Sequence, residues 1–499
     1  MHYESTSVQM NLPASRVESQ VSNCVYRGLC WIRRDLRLKD HTSLALATAA
    51  AESVAVVFVF DTNILKHLQD RNDRRVTFIH ESLRELDAKL RALGSMLVVR
   101  HGNPVDEIPA LASALGCEAV FTARDYDPYA IARDQEVGGK LAAKGVEFRT
   151  VKDSVVFEGG EVLSQAGSPL RIYSPYAKAW RNRFQARTDA DERTPELTRL
   201  ISAIELTEHS VSWEMADVGF EPNSLWLKPG EDAANELLEA FRPKASSYGA
   251  DRDFPAKSGT SAISTHLRFG TISIRECVRM ALEVGTSGAD KWFAELIWRE
   301  FYQDILFHNP KVVTDTFQPQ FNSLAYPGED AWFEAWKEGK TGYPIIDAAM
   351  RCFNATGWMH NRLRMVVASF LTKDLLIDYR RGEAYFARYL LDFDLASNNG
   401  GWQWAASVGA DPQPYFRIFN PFLQSVKFDP DGEFIRQWVP ELAHLTGKSI
   451  HVPTEATAME LAAAGIELGI TYPLPIVDHS VQRDLAIALL AECKGSATP

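Results

Sequence analysis

Between Asp392 and Trp404 the chain reads Asp-Phe-Asp-Leu-Ala-Ser-Asn-Asn-Gly-Gly-Trp-Gln-Trp, a stretch that concentrates acids, amides, glycines and indoles. As a helix it sets the Asn398 amide and the Trp402 indole four residues apart on one face, with Gly400 and Gly401 between them. Each glycine costs a helix about 1 kcal/mol against alanine, and such residues persist where a flat ligand or another backbone comes close. The pattern fits a ligand site and, equally, a glycine-kinked core helix whose tryptophans only pack. Over Lys291 to Leu306, Glu295 and Trp298 share a predicted helical face with Trp292 and Tyr302 nearby. A carboxylate among indoles is costly to bury unless it has a partner or a task. Over Gly357 to Leu371, Trp358, Asn361 and Met365 fall on one predicted stripe flanked by Arg362 and Arg364. The window 351–381 holds six Lys/Arg against two Asp/Glu and is interleaved with Trp358, Met365 and Phe370. Such a run is either a solvated face or a nucleic-acid surface. Thr260-Ser261-Ala262-Ile263-Ser264 follows Tyr248, Arg252 and Asp253 and leads into a helix with His266 and Arg268. Its hydroxyls suit helix capping or a phosphate cradle.

The elements that must position these groups are of two kinds. Short apolar or β-branched runs at Leu29 to Ile32, Val54 to Asp61, Met96 to Val99, Ala119 to Thr122 and Phe148 to Val151 predict buried strands. Helical patterns at Ser43 to Ala51, Arg74 to Leu93, Pro104 to Leu115 and Ile131 to Lys144 alternate with them. That alternation predicts a doubly wound parallel sheet with helices on both faces. The first strand runs into Arg33-Arg34-Asp35-Leu36-Arg37-Leu38 with no Gly-x-Gly-x-x-Gly, so a dinucleotide site of the usual kind is not expected there. The loops Arg33 to Asp40 and Arg124 to Tyr129 are nominated for something smaller. The expected organisation is a polar, flexible tail over 1–27 without a signal peptide, an α/β domain over 28–157, and a connector over 158–247. A helical domain over 248–492 and a tail over 493–499 follow.

At 499 residues the chain is too long for one hydrophobic core. Its formal net charge of -12 argues against indiscriminate nucleic-acid binding, so any polyanion must meet a local basic patch. Six cysteines without a Cys-x-x-Cys pair or a neighbouring His at metal spacing suggest reduced thiols, a cytoplasmic location and no metal. No apolar run approaches the ~18 residues of a membrane span. No Ser/His/Asp or Cys/His constellation stands out.

Several long strings are rarer than any of these patterns: Glu295-Leu-Ile-Trp-Arg-Glu-Phe-Tyr302, Gly339-Lys-Thr-Gly-Tyr-Pro344, Trp358-Met-His-Asn-Arg-Leu-Arg-Met365, Asn398-Asn-Gly-Gly-Trp-Gln-Trp404 and Tyr415-Phe-Arg-Ile-Phe-Asn-Pro421. With them the chain resembles the photolyase/cryptochrome family, specifically class I cyclobutane pyrimidine dimer photolyases, from Leu29 to about Pro475. The resemblance implies an α/β photolyase domain joined to a helical domain that holds FAD in a U shape. It implies light-driven repair of pyrimidine dimers in DNA by electron transfer from reduced FAD to a flipped-out dimer, and a monomer. Tyr248, Arg252 and Thr260 to Ser264 would hold the pyrophosphate region. Arg364 would pair with Asp392 beside the flavin, Phe393 and Asp394 would line it, and Asn398 would face flavin N5, where a neutral amide can accept a hydrogen bond. Glu295, Trp298, Asn361, Arg362, Met365 and Trp404 would line the dimer cavity, and Arg362, Arg417 and Lys427 would hold flanking phosphates. Flipping a damaged pair costs a few kcal/mol.

The chain also departs from the family pattern. Trp402 matches the innermost of the three tryptophans that usually carry an electron to the flavin, but the next two positions are Tyr379 and Tyr326. Weak photoreduction, or a detour through Trp336 or Trp358, is expected. The folate pairs read Tyr129-Ala130 and Val313-Thr314, and Asp125-Tyr126-Asp127-Pro128-Tyr129 looks more like the deazaflavin branch. Arg33, Arg34, Asp125 and Arg133 would touch that antenna chromophore, or its pocket stands empty. The alternative function is a cryptochrome-type blue-light receptor. Against it stand Asn398, where plant-type receptors favour Asp; Met365, where single-strand cryptochromes favour Gln; and the shortness of the C-terminal tail. The absence of a second His at His360-Asn361 argues against (6-4) repair.

Overall fold

The strand predicted from Leu29 starts earlier, at Val25, and lies in the middle of a five-stranded sheet in the computed structural model, which describes residues 25–495. The strands are β1 (Val25–Ile32), β2 (Ala51–Asp61), β3 (Leu97–Gly102), β4 (Ala119–Ala123) and β5 (Glu147–Val151). Their order is β3-β2-β1-β4-β5 and every neighbouring pair is parallel. Parallel neighbours require crossovers, supplied by α1 (Thr42–Ala50), α2 (Arg74–Ala92), α3 (Pro104–Ala114) and α4 (Pro128–Ala142). Local sequence starts these helices. The Asp73 carboxylate accepts from the Arg75 N–H, and the Asn103 side chain accepts from Val105 N–H with Pro104 as first helical residue. The apolar residues of the strands, among them Leu29, Trp31, Val57, Val98 and Val120, pack on Ile108 and Leu111 of α3 and Val137 and Leu141 of α4.

This first compact unit ends at Phe157 and also takes in Gln185–Glu236 and His266–Arg279. The segment after β1 is used internally. Arg37 donates to Asp153 at 2.7 Å, Arg275 reaches Asp40 at 2.9 Å and Asp153 at 3.0 Å, and Arg279 reaches Asp40 at 2.9 Å. Asp40 is completely buried, with a left-handed backbone of φ 49°.

The second unit consists of Glu158–Phe184, Leu237–Thr265 and the chain from Met280. The stretch 158–247, read as one connector, is thus divided between the two units. The elements that matter for the site are α5 (Tyr173–Arg183), α6 (Ser287–His308), α7 (Asp330–Glu338), α8 (Pro344–Thr356), α9 (Asn361–Ser369), α10 (Tyr379–Tyr389), α11 (Leu395–Ala405) and α12 (Pro421–Phe428). Their core includes Trp336, Phe353, Val367, Phe386 and Trp402. One predicted helix is shorter than its periodicity suggests. Gly357 closes α8 with φ +70°, and α9 begins only at Asn361, where His360 accepts from the Arg362 N–H. Trp358 therefore lies in the turn and does not share a helical stripe with Asn361 and Met365. After α9 the backbone widens into a π turn over Phe370–Asp374.

Of the expected tails over 1–27 and 493–499, residues 1–24 and 496–499 lie outside the described residues, 25–27 belong to β1, and 493–495 close a helix over His479–Gly495. Among the described residues no helix is long and apolar enough to cross a membrane, and no cluster of His, Cys, Asp and Glu is arranged to hold a metal. The five described cysteines form no disulfide among themselves.

Candidate active site

Asp394 caps α11, accepting from the backbone N–H and the hydroxyl of Ser397 at 3.0 and 2.9 Å. One turn on, the Asn398 amide nitrogen donates to the Glu383 carbonyl of α10 at 3.1 Å. With its N–H so used, the buried amide keeps its oxygen as the acceptor it can offer a ligand. Asn399 donates to the Glu383 carboxyl at 3.0 Å. Burial pushes that carboxyl up to about 7. Arg364 donates to Asp392 at 2.8 Å and to the Met359 carbonyl at 2.8 Å. The other Asp392 oxygen is buried without a hydrogen-bond partner. Phe393, beside it, packs on the helical core.

The two glycines of α11 have different tasks. A methyl group on Gly400 would sit 2.1 Å from the Tyr302 ring of α6, so this glycine lets two helices approach. A methyl group on Gly401 would meet nothing within 4 Å. Only Gly401, three residues from Asn398, leaves open space of the kind expected of both.

Around α6, Glu295 is ion-paired with Arg252, whose guanidinium lies 5.3 Å from the centre of the Tyr248 ring. Burial pushes the Glu295 carboxyl above its ordinary value against the opposing pull of Arg252. Arg252, expected at the pyrophosphate, is here the partner of Glu295. Arg362 pairs with Asp253 at 2.8 Å and approaches the Met365 sulfur at 3.7 Å. Arg362 and Lys427 flank one ring, at 4.5 and 5.1 Å from the centre of Phe428. Asn361 and Arg417 are exposed, and Trp404 is half-buried against the core. Trp298 does not present both faces: the Tyr173 ring of α5 stacks on it at 3.6 Å and 8°.

The basic window contracts in the fold. Arg351, Arg380 and Arg381 pair with Glu441, Asp378 and Asp330. Lys373 is wholly buried, donates to Ser407 at 2.6 Å and is pushed down to about 8 by burial. Arg362, half-buried, is the cation beside Met365, while the exposed Lys427 and Arg417 come from outside the window.

In the 260–264 loop Ala262 has φ +52°, and the Ser261 hydroxyl accepts from the Trp292 indole at 3.1 Å. Thr260 is half-buried, Ile263 buried and Ser264 exposed. The buried hydroxyl of Thr265 has no partner. Tyr379 is 1% exposed, Tyr326 is half-buried, and burial pushes both phenols above the ordinary range.

In the α/β unit the four residues expected around an antenna chromophore are engaged locally. Arg33 donates to Asp134 at 2.6 Å and lies 4.4 Å from the centre of Trp31. Arg133 shares Asp134 at 3.1 Å and reaches Asp61 at 3.4 Å, and the Tyr129 hydroxyl donates to Asp61 at 2.7 Å. Arg34 donates to Asp125 at 3.0 Å. Burial alone would raise Asp125, but Arg34 and Arg33 hold it well below the carboxylate range.

The partnerless Asp392 oxygen, the Asn398 oxygen, the open space at Gly401 and the partnerless Thr265 hydroxyl are what a large, flat, hydrogen-bonding cofactor would use. Residues 28–196 match the model described as DNA photolyase, and residues 292–492 match the FAD binding domain of DNA photolyase. A curated relative from Halobacterium salinarum, named deoxyribodipyrimidine photo-lyase, is 40% identical over 94% of this chain and 99% of its own length. The chain belongs to the DNA photolyase family. The photolyase fold extends to solved structures. A class III photolyase from Agrobacterium tumefaciens has a TM-score of 0.87 and 35% identity, covering 96% of this chain and 100% of its own. A Synechocystis cryptochrome has a TM-score of 0.83 and 26% identity, covering 93% of this chain and 99% of its own. Two residues of this candidate site have no local signal in the sequence. Tyr173 reaches α6 from more than a hundred residues upstream, and Glu383 fixes the Asn398 amide through a backbone carbonyl.

Proposed function

We propose that this photolyase repairs cyclobutane pyrimidine dimers in DNA, using FAD in the helical unit. When bound and reduced, FAD supplies a photoexcited electron that splits the dimer and is returned. The observation that carries the reading is the Asn398 amide, held by Glu383 so that a neutral oxygen acceptor, not a carboxylate, faces the site beside the Arg364–Asp392 pair. Arg364, Asp392, Phe393, Asp394 and Asn398 hold the isoalloxazine side. Tyr248 and the 260–264 loop hold the phosphates, with Arg252 reaching both them and Glu295. Glu295, held by Arg252, hydrogen-bonds a flipped base. Met365, Trp404 and Trp298 supply apolar contact, while Asn361, Arg362, Arg417 and Lys427 meet the DNA backbone around it. Trp402 supplies electrons that restore reduced flavin.

The finer assignments rest on residues. The class is taken as class I from the resemblance of the motif strings, beside the class III Agrobacterium structure. The ion pairs that fill the loops after β1 and β4 leave an antenna group optional, with deazaflavin favoured over folate. We take the protein to be a cytoplasmic monomer acting on DNA without a metal. The deciding experiment is illumination of the flavin-loaded, chemically reduced protein with dimer-containing oligothymidylate. Thymine absorbance should recover. A protein that binds and photoreduces flavin but restores no thymine is instead a cryptochrome-type receptor, the reading that the Synechocystis similarity keeps in view.

A further inference from the structure

A buried indole that gives up an electron must be refilled, and rings in contact are the route of least distance. Trp402 touches Trp336 of α7 at 6.2 Å between ring centres and 70°, and Phe386 of α10 at 5.1 Å. Phenylalanine is too hard to oxidise to carry the charge, so Trp336 is the redox-active neighbour. Its ring touches Tyr385 at 5.9 Å, and Tyr385 touches Tyr389 at 4.9 Å, one helical turn further along α10. No ring pair of this closeness links Trp402 to Tyr379 or Tyr326 among the described residues.

Protons separate the routes as well. The Trp336 indole N–H donates to the Val367 carbonyl at 3.2 Å, so its oxidised form can keep the proton and pass the charge on at once. A tyrosine must lose its proton when oxidised. Tyr379 is 1% exposed, and among the described residues no protein group accepts from its hydroxyl, so the protein offers no base for its proton. Tyr385 donates to the Asn354 amide oxygen at 2.8 Å, an acceptor too weak to keep a proton. Tyr389 is partly exposed, and water can take its proton.

We propose that Trp336, Tyr385 and Tyr389 form the working electron route to Trp402 in this chain, in place of Tyr379 and Tyr326. The proposal rests on the flavin reading above. Trp402 passes one electron to the flavin and is refilled by Trp336. Trp336 is refilled from Tyr389 through Tyr385, and Tyr389 releases its phenolic proton to water. A thiol then returns one electron and one proton to the Tyr389 radical, and two such thiyl products couple to a disulfide.

The test uses the full-length, FAD-loaded protein under blue light. Loss of the oxidised-flavin band is followed with dithiothreitol, and tyrosyl radical by electron paramagnetic resonance without it. Trp336→Phe should slow flavin reduction at least tenfold, Tyr389→Phe should remove the tyrosyl signal, and Tyr379→Phe should stay within twofold of wild type. Trp336→Tyr, compared at equal flavin content and melting temperature, guards against a packing defect. It should also be slow, because a buried tyrosine there has no base. Wild-type rates in both Trp336 variants, or a tyrosyl signal lost in Tyr379→Phe and kept in Tyr389→Phe, overturn the proposal. Because this assay reads flavin reduction and the repair assay starts from chemically reduced flavin, the two readings fail separately.

Discussion

Alanine at Gly400 and at Gly401 separates a packing role from a ligand role within one helix. At Gly400 the new methyl group would lie 2.1 Å from one Tyr302 ring carbon and 2.5 Å from the next. Carbon contacts settle at about 3.5–4 Å, so α6 or the ring must yield by roughly 1.5 Å. Overpacking of this kind costs about 1–3 kcal/mol, and the better helix propensity of alanine offsets about 1 kcal/mol of it. At Gly401 no atom lies within 4 Å, so only the propensity gain of about 1 kcal/mol remains. The flavin-free Gly401→Ala chain should therefore be more stable than Gly400→Ala by about 1–3 kcal/mol. That is about 2–12 °C in melting temperature for a domain of this size. The same methyl group fills the space beside Asn398, so Gly401→Ala should hold FAD at least tenfold more weakly. Calorimetry of the flavin-free chains and flavin-to-protein absorbance ratios read the two effects. A Gly401→Ala protein that melts at or below Gly400→Ala, or that retains FAD like wild type, refutes the assignment.

Two further outcomes follow from buried charge. Arg37→Ala leaves Asp153, 2% exposed, with less compensation, and should cost about 3–5 kcal/mol in urea unfolding; a loss under about 1 kcal/mol contradicts the network's role. Glu383 has its folded value raised to about 7 from 4.5. Between those values the folded state binds more protons than the unfolded one, so stability falls as pH rises from about 4.5 to 7, by at most about 3 kcal/mol. Glu383→Gln should remove that slope, and its melting temperature relative to wild type should climb between pH 5 and 8; a constant difference argues against a buried titrating carboxyl.

The strands of the α/β unit were legible because each is a compact apolar run bounded by turn residues, and helix ends moved by at most three residues, as frayed ends do. The helical site was half legible. Glu295, Met365, Asn398 and Trp402 announced themselves by type and spacing. Their partners did not, because Tyr173 and Asp253 arrive from distant segments and Glu383 acts on Asn398 through its backbone. Trp358 was misplaced because helical periodicity continues in the sequence across Gly357, where a left-handed residue ends one helix. The charge count over 351–381 misled for a similar reason: a tally cannot tell Lys373, buried in the core, from half-buried Arg362, paired with Asp253.

The buried pairing of Asp40 bears on synthesis. Asp40 and Arg275 are 235 residues apart in the chain, so at about 5–20 residues per second the cation leaves the ribosome roughly 12–47 s after the acid. All five strands of the sheet precede that moment. The nascent α/β unit thus waits with its strands complete and one interior carboxylate uncompensated, and it can lock only when the short segment ending at Arg279 emerges. Elongation order, and not the sheet's own propensity to pair, sets when this half of the molecule becomes stable.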